Sequence, residues 1–296
     1  MIADFRSLLL VPADSPARIA GALASGADAL ILDLDDMVAS EHRSKARQAA
    51  ANTLMRLRHN GDAPLLFVRI SSLDSDQLNP DLAAVMGHGP DAIILPKARG
   101  GADVEQLATL LLAHETDHGL PAGSTRILPL VTDTGAAMFG LSTYAGCSPR
   151  LLAVAWSAED LASDIGADDT REDNGDWSAP FAMARNLALY AAAHAGVPAI
   201  DTLFRDFGDR TGLRHEAMRA EADGFCAKIA VHPDQIGILN QVFTPHGEKL
   251  DRANVLIAAF AASPHATHVS IEGRVYDKAQ WARAQLLVAR ARRGQS

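Results

Sequence analysis

The residues most able to do chemistry in this sequence stand at the ends of its apolar runs. ALILDLDD closes on Asp33, Asp35 and Asp36, RILPLVTD on Asp133, LLAVAWSAED on Glu159 and Asp160, and AIDTLF carries Asp201. LLFVRI brings Arg69, AIILPK brings Lys97, and FCAKIAV is followed by His232. Carboxylates gathered in one place repel and raise one another's pKa unless a cation lies between them. A set this rich in oxygen suits a hard divalent ion, most simply Mg²⁺ held by carboxylates, water and substrate. Arg69 and Lys97 would then answer an anionic substrate. No HExxH or comparable histidine pair argues for zinc. Of the eleven histidines, only His232 falls at the end of an apolar run.

Each of these residues also has an ordinary explanation. Asp33 or Asp35 could cap a helix or pair with Lys45 or Arg47. Glu159 and Asp160 precede LASDIG, and Asp133 precedes TGAAMFGL; both are places where an acid commonly caps a helix. Lys97, after Pro96, reads equally well as structure or as site. Arg69 leans toward function, because a guanidinium left unpaired inside an apolar mouth is costly.

Eight short runs rich in Leu, Ile and Val must position these groups: 7–12, 29–36, 65–70, 92–97, 126–133, 151–160, 199–204 and 225–231. Continuous apolar runs, rather than strict alternation, mark parallel strands covered on both faces. Ala-rich segments with helical spacing separate them, several stopping at Gly. Eightfold strand–helix alternation predicts an α/β fold, a closed (β/α)8 TIM barrel, with the site at the C-terminal ends of its strands. A doubly wound open sheet is the alternative, weakened by the absence of GxGxxG or a P-loop after any strand. Residues 1–236 form the expected catalytic barrel. Residues 237–296 form a largely helical C-terminal extension, a cap or an arm reaching a neighbouring subunit. The acidic stretch DDTREDNGDW (168–177) reads as a loop.

With 296 residues, 48% of them hydrophobic, the chain can bury a large core. Its net charge of −9 argues against a nucleic-acid partner, while still allowing an anionic substrate where cations are placed locally. Cys147 and Cys226 lack metal-ligand spacing and read as small buried hydrophobes. The first residues lack the features of a secretory signal, and no apolar stretch approaches a membrane span, so a cytoplasmic location is expected.

At these same residues the sequence resembles the citrate lyase β-subunit (CitE-like) group of the HpcH/HpaI aldolase superfamily, which includes malyl-CoA and citramalyl-CoA lyases. The resemblance runs through RSLLLVP (6–12), GADALILDLDDMVAS (26–40), KAR (45–47), FVRI (67–70), ILPK (94–97), SPRLLAVAWSAEDLASDIG (148–166), AIDTLFRDFGDRTGL (199–213) and GFCAKIAVHPDQI (224–236). Each motif is weak alone; together, in this order, they are specific. The resemblance implies that Asp133 and Asp160 bind Mg²⁺ and that Arg69 contacts substrate and steadies an enolate oxygen. It also implies that Val231 and His232 touch the acyl carrier. Asp36, Lys97 and Glu159, by their places at strand ends, are expected to support the site from behind. The resemblance further implies that Asp277, in EGRVYD, enters a neighbouring subunit's site in a homotrimer or hexamer. Asp133 stands where the family has Glu, one methylene longer. Ala13, Gly21, Ser71 and Ser157 stand where Gly, Lys, Asn and Gly are frequent.

The expected activity is Mg²⁺-dependent cleavage or formation of a 3-hydroxy-acyl-CoA such as citramalyl-CoA, malyl-CoA or a citryl thioester. Its products are an acetyl thioester and a 2-oxo acid. The alternatives are an aldolase acting on a free hydroxy-oxo acid and a non-catalytic carboxylate- or acyl-CoA-binding barrel.

Overall fold

The computed structural model describes residues 5–57, 63–245 and 247–293. Strands and helices alternate through β1 (Ser7–Pro12), α1 (Pro16–Leu23), β2 (Ala29–Asp33), α2 (Arg43–Leu57), β3 (Leu65–Arg69), α3 (Leu78–Val85), β4 (Ala92–Leu95) and α4 (Gly101–Asp117). They continue with β5 (Arg126–Pro129), α5 (Gly135–Gly140), β6 (Val154–Ala155), α6 (Glu159–Ile165), α7 (Ala179–Ala195), β7 (Ala199–Asp201), α8 (Arg210–Asp223), β8 (Ala227–Ala230) and α9 (Ile236–Phe243).

The eight strands are parallel and hydrogen-bonded in the order β5-β4-β3-β2-β1-β8-β7-β6. Parallel bridges Ile127↔Leu151 and Leu130↔Ala155 join the two ends and complete a (β/α)8 barrel. The expected open-sheet alternative is excluded by this closure. The seam is thin for a reason written in β5. The amides of Ile127 and Val131 donate toward β6, to Arg150 and Ala155, while Leu130 between them donates the other way, to Leu95. Position 129 is the next donor due on the β6 side, and it is proline, which has no N–H. The ladder therefore breaks into isolated bridges, and the long run 151–160 yields a strand of two residues.

Alternate strand residues fill the barrel interior: Leu8 and Leu10, Ala29 and Ile31, Phe67, Ile94, Leu128 and Leu130, Ala155, Ile200 and Ile229 form one buried cluster. The same period of two carries Asp33 and Arg69 to the interior at the C-terminal ends of β2 and β3. It turns Asp201 and Lys228 the other way, toward the helices. Asp201 is fully buried and accepts from Lys228 Nζ (2.8 Å), Trp156 Nε1 (2.7 Å) and Arg185 Nε (3.2 Å). It is thus a strut between sheet and helices and no part of the mouth. Cys226 is buried as expected, but Cys147 is only half-buried, its thiol pushed up by desolvation.

The chain divides into two compact units, Met1–Leu239 and Asn240–Ser296. The second is built from α10 (Gly247–Ala262), an antiparallel hairpin of β9 (His268–Ile271) and β10 (Arg274–Asp277), and α11 (Lys278–Arg293). Leu256, Phe260 and Val288 form its small core, with Trp281 packed against it. No helix among the described residues is long and apolar enough to cross a membrane.

Candidate active site

The strand ends converge on a cavity of ≈ 860 Å³ in the first unit. Arg69, Asp36, Glu159 and Asp160 line it, as do Val231 and His232. Asp133 lies behind this wall, 1% exposed.

Asp33 fixes the position of Arg69. The guanidinium Nε and Nη2 donate to the two carboxylate oxygens of Asp33 at 2.6 and 2.8 Å, and Nη1 stands 3.0 Å from Asp36. The amides of Asp35 (3.1 Å) and Met37 (2.7 Å) also donate to Asp33, so its position is set by the backbone turn that follows β2. Burial pulls Arg69 toward its neutral form, but the bonds and charge of Asp33 outweigh this and leave its pKa raised. Arg69 is therefore a permanent cation with its planar fork locked in one orientation. Sequence reasoning placed Asp36 near the site and left Asp33 open between capping a helix and pairing with Lys45 or Arg47. Neither option holds: Arg47 binds Asp81 (2.7 Å), and Asp35 pairs with Arg43 (3.0 Å). The register Asp33↔Arg69 on adjacent strands was the signal that could have found the pair.

Asp133 is no helix cap, because Thr134 caps α5 by accepting from the Ala137 amide (3.2 Å). Its Oδ2 accepts from the Lys97 amide at 2.8 Å, whereas its Oδ1 is buried without a hydrogen-bond partner. A buried carboxylate oxygen left this way is expensive unless it is protonated or meets a cation. Burial foremost, with the charge of Asp160 next, pushes the Asp133 carboxyl up to about 8. Lys97 contributes its backbone here. Its φ of +54° is left-handed, which turns the amide to Asp133 while the side chain is exposed.

Asp160 sits in the first turn of α6, whose cap position is Ala158, so neither Glu159 nor Asp160 caps the helix. Ser157 Oγ donates to Asp160 Oδ2 (3.2 Å), and the Ser157 backbone is held by Thr132 on both its amide and its carbonyl (2.9 Å each). Ser157 thus adds a hydroxyl donor to one of the two candidate metal carboxylates. Glu159 accepts from Arg205 at 2.6 Å.

After β8, His232 accepts the Asp234 amide through Nδ1 (3.2 Å) and stacks on Phe207, centroids 4.7 Å apart. Arg18, Arg205 and Phe207 are cavity residues that sequence reasoning did not single out; each lies beyond a strand end, in a helix or loop without a run to mark it. Asp277 belongs to the second unit. It ends β10 and forms a reciprocal cap with Gln280: the Gln280 amide donates to Asp277 Oδ1 (3.0 Å), and the Asp277 amide donates to Gln280 Oε1 (2.8 Å).

Among the described residues no group of three or more His, Cys, Asp or Glu side chains is placed to hold an ion. What remains is a pair, Asp133 and Asp160, with one oxygen of Asp133 unused. Two carboxylates leaving open positions for water and substrate is a donor set that suits Mg²⁺.

The HpcH/HpaI aldolase/citrate lyase family model matches residues 6–233. The chain belongs to this family. It is 30% identical to the citrate lyase subunit beta of Leuconostoc mesenteroides subsp. cremoris over 95% of its length and 91% of that protein. It is also 30% identical to the L-malyl-CoA/beta-methylmalyl-CoA lyase of Rhodobacter capsulatus, over 97% of its length and 94% of that protein. The crystal structure of CitE from Mycobacterium tuberculosis, in complex with magnesium, acetoacetate and coenzyme A, superimposes with a TM-score of 0.79. That likeness covers 98% of both chains at 29% identity. Membership in the HpcH/HpaI family and kinship with lyases make this protein a carbon–carbon lyase, and the barrel reading of the sequence holds.

Proposed function

We propose that this HpcH/HpaI-family protein cleaves, or in reverse forms, a 3-hydroxy-acyl thioester, giving an acetyl thioester and a 2-oxo acid with the help of Mg²⁺. The observation that carries this reading is the orphaned Oδ1 of Asp133, buried beside Asp160 and close enough to Arg69 to feel its charge. Asp133 and Asp160 would hold the ion, which supplies Lewis-acid polarisation of the oxygen on the carbon being cleaved. The names of the relatives, a citrate lyase subunit and a malyl-CoA lyase, support the thioester class.

The chain's own groups divide the remaining work. Arg69, locked by Asp33 and Asp36, presents positive charge where the thioester enolate oxygen develops. Such a preorganised donor is typically worth about 3–4 kcal/mol of barrier. The apolar walls from Leu10, Val11, Met37 and Val231 limit water around the enolate. Lys97 and Ser157 orient the two carboxylates through an amide and a hydroxyl. Val231 and His232, beside Phe207, are proposed to contact the acyl carrier. Asp277 is proposed to handle the acetyl proton in the site of a neighbouring subunit within a homotrimer or hexamer.

Incubating the protein with malyl-CoA or citramalyl-CoA tests the assignment. Acetyl-CoA should form with Mg²⁺ present, cease on chelation, and stay absent in the Asp160→Asn variant. Turnover that persists in chelator would sink the metal-assisted reading.

A further inference from the structure

The same cavity holds a guanidinium that the reaction outlined above leaves without a task. Arg205 lies in the connection from β7 to α8, its side chain 67% exposed, and its Nε donates to Glu159 Oε1 at 2.6 Å. Among the described residues its side chain has no other hydrogen-bonded or ionic partner. Both Nη groups are therefore open. Arg69 differs in this respect, since acids already engage its Nε, Nη1 and Nη2. Glu159 is the immediate neighbour of Asp160 in the first turn of α6, so the ion pair tethers Arg205 next to a candidate metal carboxylate.

Strand order sharpens the placement. The candidate metal acids follow β5 and β6, and Arg205 follows β7, the next strand in the ring. Arg18, the other cavity guanidinium with open donors, belongs to α1 after β1 and is separated from β7 by β8. Arg205 and Glu159 also line a second cavity of ≈ 1030 Å³, so the tethered pair borders two open spaces. An arginine fork with an unused Nη edge is a bidentate receptor for a carboxylate.

We propose that Arg205 determines specificity for the oxo-acid half of the substrate by binding a second carboxylate, so that the preferred acid is a 2-oxo dicarboxylate rather than a 2-oxo monocarboxylate. This rests on the lyase reading above. The 2-oxo and adjacent carboxylate groups belong to the Asp133–Asp160 end of the cavity. A further carboxylate one or two carbons along then meets the nearest cation whose donors remain open. Glu159 holds that cation in place while occupying only one of its edges.

Calorimetric titration of the full-length, Mg²⁺-loaded protein with oxaloacetate, pyruvate and coenzyme A separates the outcomes. In Arg205→Leu, oxaloacetate affinity should fall about tenfold or more, the scale of a lost charge-assisted pair, with pyruvate and coenzyme A unchanged. Arg205→Lys should restore part of the loss, and an unchanged melting temperature would show the fold intact. Equal losses for both acids, no loss for either, or a loss confined to coenzyme A would each overturn the proposal while leaving the lyase reading in place. A wild-type protein that binds neither acid in the presence of Mg²⁺ overturns both.

Discussion

Both oxygens of Asp33 are committed to Arg69, at the C-terminal ends of β2 and β3, with two backbone amides completing the shell. Asp33→Asn would keep the shape of the side chain but leave a buried guanidinium facing an amide. Breaking a buried pair of this kind typically costs about 3–5 kcal/mol, so the denaturant midpoint should drop markedly and thioester cleavage with it. A midpoint within error of wild type would mean that Asp36 alone can hold Arg69. Asp133 gives an expectation of the opposite kind. Its carboxyl is pushed up from 3.8 to about 8, first by burial and then by Asp160. The folded state therefore keeps a proton that the unfolded chain releases. The stability this contributes to the metal-free protein is complete below about pH 4 and is lost as the pH climbs toward 8. Magnesium must displace that proton, so its affinity should strengthen by up to about tenfold per pH unit between roughly pH 6 and pH 8, with proton uptake by the buffer. Titration calorimetry in buffers of different ionisation enthalpy checks this, and Asp133→Asn should abolish the proton release. At this scale the sequence marked several residues that line the cavity, Asp36, Arg69, Glu159 and Asp160, because each stood at the end of an apolar run. Apart from Asp33 and Arg69, which end adjacent strands, it could not show which acid meets which cation. Asp35 pairs with Arg43 and Arg47 with Asp81 because strand and helix ends converge in space, and spacing along the chain does not encode that.

Elements decide which part of a residue reaches the site. After β4 the chain turns through Lys97 in the left-handed region, and it is this turn that aims an amide at Asp133. A side chain in that conformation typically costs about 1–2 kcal/mol, a strain that glycine would not carry. Lys97→Gly should thus retain cleavage activity and raise the melting temperature slightly. A large fall in activity would instead assign the ammonium group a part in substrate binding, as its position after a strand first suggested. The contrast shows what periodicity conveys. Eight apolar runs were enough to specify the barrel, since parallel strands covered on both faces leave that imprint. The imprint says nothing of backbone sign at a turn, nor of a missing donor. The run at 151–160 looked like the longest strand and became the shortest, because Pro129 on the neighbouring strand has no hydrogen to offer it. Asp201 likewise closes a strand but faces outward, and one residue of register separates it from the lumen-facing Ile200.

For the molecule as a whole, the question is what the second compact unit does for the first. It has its own small core around Leu256, Phe260 and Val288, and a hairpin whose last residue, Asp277, caps the final helix. A cap explains the presence of an acid there, but it does not require the charge, since asparagine caps helices equally well. The Asp277→Asn variant therefore separates the two roles: the fold of the unit should survive, measured by its melting temperature, while proton handling at the acetyl carbon should not. If Asp277 serves a neighbouring subunit, the variant's defect can be complemented. Asp277→Asn subunits keep an intact Arg69 site, and Arg69→Lys subunits keep an intact Asp277. Each should be nearly inactive alone. Mixed under conditions that permit subunit exchange, they should recover a substantial fraction of wild-type turnover, because some sites then combine a wild-type Arg69 with a wild-type Asp277. Exchange without recovery would confine both residues to one chain or remove Asp277 from the chemistry. Exchange itself is read independently by mass spectrometry of tagged subunits, so a negative result in turnover cannot be mistaken for a failure to mix.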